Sequence, residues 1–176
     1  MFRDYFLRWR NHQLLKSDRT ARTFVAYPEA KDIGVLFSDQ FSTEAAALNR
    51  FIGQLQSDGK RVRALTYFER AHSYPYEFPF DYFVKKEINF IGVIGSEKVE
   101  QFIDYPFDYL FCLNTVPFPP FDQILLRSRA KYRMGLYQPD RETVLEVMVK
   151  SGGHDSLTEL VEQLYKYTQQ LLPNEP

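Results

Sequence analysis

The fold is decided by one short apolar run, Ile33-Gly34-Val35-Leu36-Phe37. A strand that other elements cover on both faces is apolar at nearly every position, whereas a half-exposed strand alternates. The run therefore predicts a buried strand. Ser42 then provides a cap for a helix whose C-terminal exit is Gly59. The apolar face of that helix is predicted to consist of Ala45, Leu48, Phe51, Ile52 and Leu55.

The alternation of strand and helix continues along the chain. Further strands are predicted at residues 62–68, 81–84, 108–113, 131–136 and 143–149. Further helices are predicted after a Ser96 cap, at Pro119-Pro120, and from the capping box of Ser156 and Glu159. This pattern predicts a three-layer α/β fold with a mostly parallel six-stranded sheet, although the last strand also fits an antiparallel edge. Right-handed crossovers then give a Rossmann-like order, 3-2-1-4-5-6, with strand 33–37 central and a crevice beyond strands 1 and 4.

Composition excludes several classes of protein. The chain has 176 residues, of which 44% are hydrophobic and 26% charged, so it is neither largely disordered nor collagen-like. The longest unbroken apolar run, residues 109–113, is too short for a transmembrane helix, and no apolar block of secretory length follows the N-terminus. The single cysteine, Cys112, excludes a disulfide framework and a thiolate zinc cluster, which predicts a cytoplasmic location.

The two ends of the chain differ in charge and pattern. Residues 1–30 are predicted to form a basic amphipathic helix and a connector, and residues 31–176 a single α/β domain. Residues 1–24 carry a net charge of +4, and the remainder carries −5. One side of the helix gathers the aromatic side chains of Phe2, Tyr5, Phe6 and Trp9, flanked by Arg3, Arg8 and Arg10. Three interpretations stay open: packing on its own domain, docking on a protein or RNA surface, or contact with an anionic membrane.

The common cofactor motifs are absent from the sequence. The turn after the first strand contains no glycine, so it lacks the fingerprint of an NAD or FAD site, and no Gly-x-x-x-x-Gly-Lys phosphate loop occurs. No Gly-x-Ser-x-Gly elbow of an α/β-hydrolase is present. His12, His72 and His154 have no acidic or thiol partner at ligand spacing, and Cys112 is predicted to be a core thiol. We therefore predict no cofactor and no metal, and we favour a protein that is not an enzyme.

Polar side chains follow several predicted strands, at the edge of the sheet where such folds bind ligands. The candidate ligand-binding residues are Ser38, Asp39, Tyr67, Lys85, Lys86, Asn114 and Thr115. Ser38 or Asp39 fits equally well as an N-terminal cap of the next helix. Asp39 is the one candidate for catalysis, and the sequence supplies no partner for it.

A cluster of basic residues surrounds the predicted fifth strand. It consists of Arg127, Arg129, Lys131 and Arg133. One interpretation is a solvated helix end and edge strand. The other is a patch for an anion or an RNA backbone, acting together with the N-terminal arm.

Four stretches carry a resemblance to a known group of proteins: KDIGVLF at 31–37, FDYFVKKEIN at 80–89, PFDYLF at 106–111 and RAKYRMG at 129–135. Together they resemble an uncharacterised family of small Bacteroidota proteins, a match that covers about residues 31–170. A fainter likeness joins residues 107–135 to the N-terminal, acceptor-side half of heptosyltransferase-type glycosyltransferases. This chain lacks the Gly-Asp turn that follows the first strand there, and its 176 residues are predicted to form one α/β domain with no second domain for a nucleotide-sugar among them.

The function predicted from these observations is a non-catalytic Rossmann-like adaptor or ligand-binding module that docks on a protein partner through its N-terminal helix. The glycosyltransferase resemblance implies an alternative, a related enzyme that needs a partner. The basic residues give a third prediction, an RNA- or ribosome-associated factor.

Overall fold

The structure is a computed structural model. It describes residues 10–14, 22–23, 25–38, 45–70, 80–150 and 156–171. The six strands are β1 (Asp32–Ser38), β2 (Arg61–Phe68), β3 (Asp81–Val84), β4 (Tyr109–Cys112), β5 (Tyr132–Leu136) and β6 (Val147–Val149). Within these ranges, the α-helices that follow the first strand are α1 (Ala45–Ser57), α2 (Glu97–Asp104), α3 (Pro119–Arg127) and α4 (Leu157–Gln170).

The six strands form one sheet in the order β3-β2-β1-β4-β5-β6, and every neighbouring pair is parallel. The central strand is β1, in which Val35 lies between Ala64 of β2 and Phe111 of β4. The predicted Rossmann-like α/β arrangement is therefore confirmed. The last strand is parallel, so the alternative of an antiparallel edge is wrong.

Helices cover both faces of the sheet, which explains why β1 is apolar at successive positions. Side chains alternate along a strand, so Val35 packs on one face with α1 and α4, while Leu36 packs on the other with α2 and α3. Both side chains are fully buried. On the first face, the rings of Phe51 and Phe111 meet edge to face with their centroids 5.3 Å apart.

Some predicted boundaries need correction. The strand predicted from Thr143 begins only at Val147, because the amides of Val144 and Leu145 donate to the Arg141 carbonyl, at 2.9 and 3.1 Å, in a turn. Ser156 caps α4, since its hydroxyl accepts from the Glu159 amide at 3.2 Å. Within the described residues, Ser96 precedes α2 but its side chain makes no cap hydrogen bond.

Residues 10–14 are helical and lie inside the predicted N-terminal helix, whose other residues fall outside the described ranges. The chain then reaches the sheet through residues 25–31, where Tyr27 and Ala30 are buried in the core on the α1 and α4 face. Tyr27 donates to Asp58 at 2.5 Å, and Tyr165 of α4 donates to the same carboxylate at 2.8 Å. This part of the connector is therefore packed into the α/β domain.

Of the helices that the structure describes, none is both long and apolar enough to cross a membrane.

Candidate functional site

A crevice opens at the carboxyl edge of the sheet, between β1 and β4. Helix α1, which follows β1 in the chain, lies on one face of the sheet, and α3, which follows β4, lies on the opposite face, so the strand order reverses between β1 and β4. A cavity of about 270 Å³ occupies this position. Its walls are Ser38, Tyr67, Glu69, Asn114, Val116, Pro117 and Phe118. We call it the switch crevice.

Two buried polar side chains form the floor of the switch crevice. Ser38 is 4% exposed and Asn114 is 2% exposed. Among the described residues, neither the Ser38 hydroxyl nor the Asn114 Oδ1 has a hydrogen-bond partner. Asn114 Nδ2 donates a long hydrogen bond, 3.5 Å, to the Val116 carbonyl. The side-chain oxygen Oδ1 therefore faces away from that carbonyl. The capping role considered for Ser38 stays a prediction, because the residues that follow it, 39–44, lie outside the described ranges.

The rim of the switch crevice combines aromatic rings with an ion pair. The ring of Tyr67 lies 4.7 Å from that of Phe118 between centroids, at an angle of 47°. The Tyr67 hydroxyl donates to Glu69 Oε1 at 3.2 Å, and Lys85 Nζ lies 2.6 Å from Glu69 Oε2. Judged by the residues that the structure describes, the crevice therefore offers an unpaired hydroxyl and an unpaired amide oxygen at its base, an apolar wall, and a charged pair at its mouth.

The structure brings three of the predicted ligand-binding residues together in the switch crevice, Ser38, Tyr67 and Asn114, with Lys85 at its rim through Glu69. Lys86 is exposed on the short helical turn Lys85–Glu87. The Thr115 carbonyl accepts from Gln138 at 3.3 Å. Asp39 lies outside the described residues.

Sequence reasoning missed Glu69 and Phe118, which complete the switch crevice. Their positions could have identified them as candidates, because Glu69 directly follows β2 and Phe118 directly precedes α3. Across the described chain, no group of three or more His, Cys, Asp or Glu side chains comes together as a metal site requires.

The four residues of the predicted basic patch do not form one exposed surface. Arg133 is 3% exposed and pairs with Glu146 at 2.6 Å. Arg127 contacts Glu100 at 2.5 Å and Lys131 contacts Asp108 at 2.8 Å, so each charge is offset by a neighbouring carboxylate. Arg129 is exposed.

The predicted docking residues Phe2, Arg3, Tyr5, Phe6, Arg8 and Trp9 lie outside the described residues. Arg10 is half-buried. The helical residues next to it contact the domain: Asn11 Nδ2 donates to the Pro119 carbonyl at 3.0 Å, and Leu14 packs against the core on the α2 and α3 face. Arg22 donates to the carbonyls of Ser128 and Ala130, at 2.9 and 2.6 Å.

Comparison with known proteins places this architecture in a family but gives it no activity. No curated protein and no solved structure matches the chain. One family model, that of a family of unknown function (DUF6913), matches residues 3–171, a range that includes the whole sheet and the switch crevice. The chain therefore belongs to the family of unknown function DUF6913.

Proposed function

We propose that the chain is a ligand-binding module that takes a small hydroxylated molecule with one flat face in the switch crevice. The observation that carries the proposal is the pair of buried, unpartnered groups at its floor, Ser38 Oγ and Asn114 Oδ1, judged over the described residues. Leaving a buried hydroxyl or amide without a hydrogen bond costs about 1–3 kcal/mol. A fold accepts that cost at a position where a ligand supplies the missing hydrogen bond.

The chemistry of the walls limits the class of ligand. Ser38 can donate or accept, whereas Asn114 Oδ1 only accepts, so the ligand needs at least one hydroxyl or N–H donor. Phe118 and Tyr67 provide an apolar wall against which a flat ring packs. Glu69 is already engaged by Tyr67 and Lys85, so the mouth favours a neutral ligand.

A pair of serine variants tests whether Ser38 serves a ligand or the fold. Ser38→Ala removes an unpartnered buried hydroxyl, so we expect the free energy of unfolding to rise by about 1 kcal/mol. The matched control, Ser156→Ala, removes the cap of α4 and is expected to lower it by about 1 kcal/mol. Urea unfolding of both variants measures the difference. A loss in Ser38→Ala as large as that in Ser156→Ala would assign Ser38 to the fold and contradict the proposal.

Binding itself is tested with phenyl glucoside, which joins hydroxyls to a flat ring, and with glucose, which lacks the ring. Two-dimensional NMR of the labelled full chain should place the shifts from phenyl glucoside at Ser38, Asn114 and Phe118, with weaker shifts from glucose. Ser38→Ala should reduce the affinity by about tenfold, the effect of one lost hydrogen bond in a buried site. Shifts that do not map to the crevice would reject it as the binding site.

Two other predictions from the sequence remain alternatives to this proposal. A glycosyltransferase-related enzyme that needs a partner, supported by the fainter of the two sequence resemblances, requires turnover of a nucleotide-sugar that Asp39→Asn abolishes. An RNA-associated factor requires salt-dependent RNA binding through the N-terminal arm. The pairing of Arg127, Lys131 and Arg133 with carboxylates favours the ligand-binding module over the RNA factor.

A further inference from the structure

A second cavity, of about 460 Å³, lies on the α2 and α3 face of the sheet. It is enclosed by the N-terminal helical residues, by α3 and by the turn that follows β5. Its polar wall consists of Asn11, His12, Asp122, Gln138 and Arg141. We call it the Arg141 cavity; Pro117 separates it from the switch crevice and borders both.

The dominant group in this wall is a buried arginine with unused donors. Arg141 is 3% exposed. Its Nη2 lies 2.7 Å from Asp122 Oδ1 and 3.4 Å from the Cys112 sulfur. Within the described part of the chain, Nε and Nη1 have no hydrogen-bond partner. A guanidinium carries five N–H donors, so most of its hydrogen-bonding capacity is unmet in a buried position.

The guanidinium stays charged in this setting. Burial alone lowers the pKa of Arg141, but the sulfur of Cys112 and the carboxylate of Asp122 together raise it above its ordinary value. A buried, charged donor set is matched best by an anionic oxygen acceptor, and carboxylates form short, strong hydrogen bonds of this kind with arginine.

The same cavity wall also contains two hydrogen-bond acceptors. Asn11 Oδ1 and Gln138 Oε1 are buried acceptors that, over the residues described, have no donor. Their orientation is fixed, because Asn11 Nδ2 donates to the Pro119 carbonyl at 3.0 Å and Gln138 Nε2 to the Thr115 carbonyl at 3.3 Å. These two amide oxygens can accept hydrogen bonds from neutral donors of a ligand, such as hydroxyl groups.

We propose that the Arg141 cavity binds a small hydroxy-carboxylate. The carboxylate accepts from Arg141, and hydroxyl groups donate to Asn11 and Gln138. Because Asn11 and His12 belong to the N-terminal helical residues, the ligand also joins that segment to the body of the domain. The site is separate from the switch crevice and does not depend on the function proposed for it.

The first experiment compares two probes that differ in one group. Gluconate and sorbitol have the same carbon number and nearly the same hydroxyls, but only gluconate has a carboxylate. Calorimetric titration of the full chain should give binding of gluconate, and binding of sorbitol that is weaker by about tenfold or more. Equal affinity for the two probes, or no binding of gluconate, would overturn the proposal.

Two variants place the probe in the cavity. Gln138→Glu puts a negative charge beside the proposed carboxylate, and Arg141→Lys keeps the positive charge next to Asp122 but removes Nε and Nη1. Each should weaken gluconate binding by about tenfold or more. Gln56→Glu, on the exposed side of α1, is the matched control and should bind gluconate as the wild type does. Unchanged binding by a folded Gln138→Glu variant would exclude this site, whereas a loss in Ser38→Ala alone would move the probe to the switch crevice.

Discussion

Gly34 of β1 lies opposite Leu110 of the neighbouring strand β4, at a position with no room for a side chain. A Cβ atom placed there would lie 2.7 Å from Leu110 Cδ1 and 3.0 Å from the ring of Phe107. Both neighbours are fully buried, so neither has free space into which it can move. The absence of a side chain at Gly34 is therefore a packing requirement of the sheet.

A pair of alanine variants tests this requirement. Gly34→Ala overpacks the core and is expected to lower the free energy of unfolding by about 1–3 kcal/mol. Gly53→Ala is the matched control in α1, where an added Cβ meets no atom of the described chain within 4 Å. There the loss of backbone freedom in the unfolded chain should raise the free energy of unfolding by about 0.5–1 kcal/mol. Urea unfolding measures both, and a change of the same sign in both variants would contradict the argument.

Asp108 connects the amino-terminal ends of β1, β4 and β5, at the end of the sheet away from the switch crevice. Its carboxylate accepts from the amides of Lys31 and Asp32, at 2.7 and 3.0 Å, and from Lys131 Nζ at 2.8 Å. Burial alone raises the pKa of Asp108, but these hydrogen bonds together hold it below its ordinary value of 3.8. The ionised form is therefore favoured by folding, and the carboxylate contributes stability that is lost as the pH falls through the lowered pKa.

Asp108→Asn should show this dependence on pH. At pH 7 we expect the free energy of unfolding to fall by about 1–3 kcal/mol. The deficit relative to the wild type should shrink as the pH falls from about 4, where the carboxyl of the unfolded chain takes up its proton, through the lowered pKa of the folded protein. Asp104→Asn, at an exposed position in α2, should stay within about 0.5 kcal/mol of the wild type. A deficit of Asp108→Asn that is constant between pH 7 and pH 2 would exclude this origin.

At the scale of elements, the N-terminal segment packs on the body of the domain where the structure describes it. Asn11 reaches the first turn of α3, and Arg22 reaches two carbonyls beyond the end of the same helix. A short helix is only marginally stable alone in water, so these contacts with the domain stabilise the helical conformation of the N-terminal segment. They favour the first of the three interpretations of this segment, packing on its own domain.

Deletion of residues 1–24 should therefore destabilise the protein. Loss of the Arg22 and Asn11 hydrogen bonds is expected to cost at least about 2 kcal/mol, which corresponds to a fall in Tm of about 5 °C for a chain of this size. In the full chain, Arg22→Met should lower Tm, whereas Gln13→Ala, at an exposed position, should not. A deletion that leaves Tm unchanged and removes a binding partner would support docking instead.

Local sequence patterns predicted the strands of the sheet, but they did not predict the ion pairs between distant residues. β1, β2 and β4 are confirmed, and β1 and β4 have the nearly continuous apolar sequence of strands that are buried on both faces. Ser38 and Asn114 could be placed together because carboxyl ends of parallel strands share one edge. The contact of Arg141 with Asp122 and the pairing of Arg133 with Glu146 join residues whose sequence context carries no sign of a partner. For this reason the basic residues 127–133 looked like an open patch, and the Arg141 cavity was not predicted.

In the part of the molecule that the structure describes, two apolar cores lie on opposite sides of the sheet. On one side, Tyr27, Asp58 and Tyr165 join the connector to α4. On the other side, the switch crevice and the Arg141 cavity lie next to each other near the start of α3. In the described chain, Ser38, Asn114 and Arg141 place buried polar atoms without partners at the cavities, whereas other such atoms, on Thr66 and Gln123, lie outside the two cavity walls. The buried ion pair of Arg133 with Glu146 contributes to the fold.

The central position of β1 has a consequence for folding during synthesis. Val35 pairs on one side with Ala64, which follows soon after it, but on the other side with Phe111, which the ribosome adds much later. Until β4 emerges, one edge of β1 keeps its amides and carbonyls unpaired and its apolar side chains uncovered. Contacts between residues so far apart in sequence form slowly, because a long loop must close first. The nascent chain is therefore most prone to aggregate in this interval, and chaperones that cover apolar strands would act on it then.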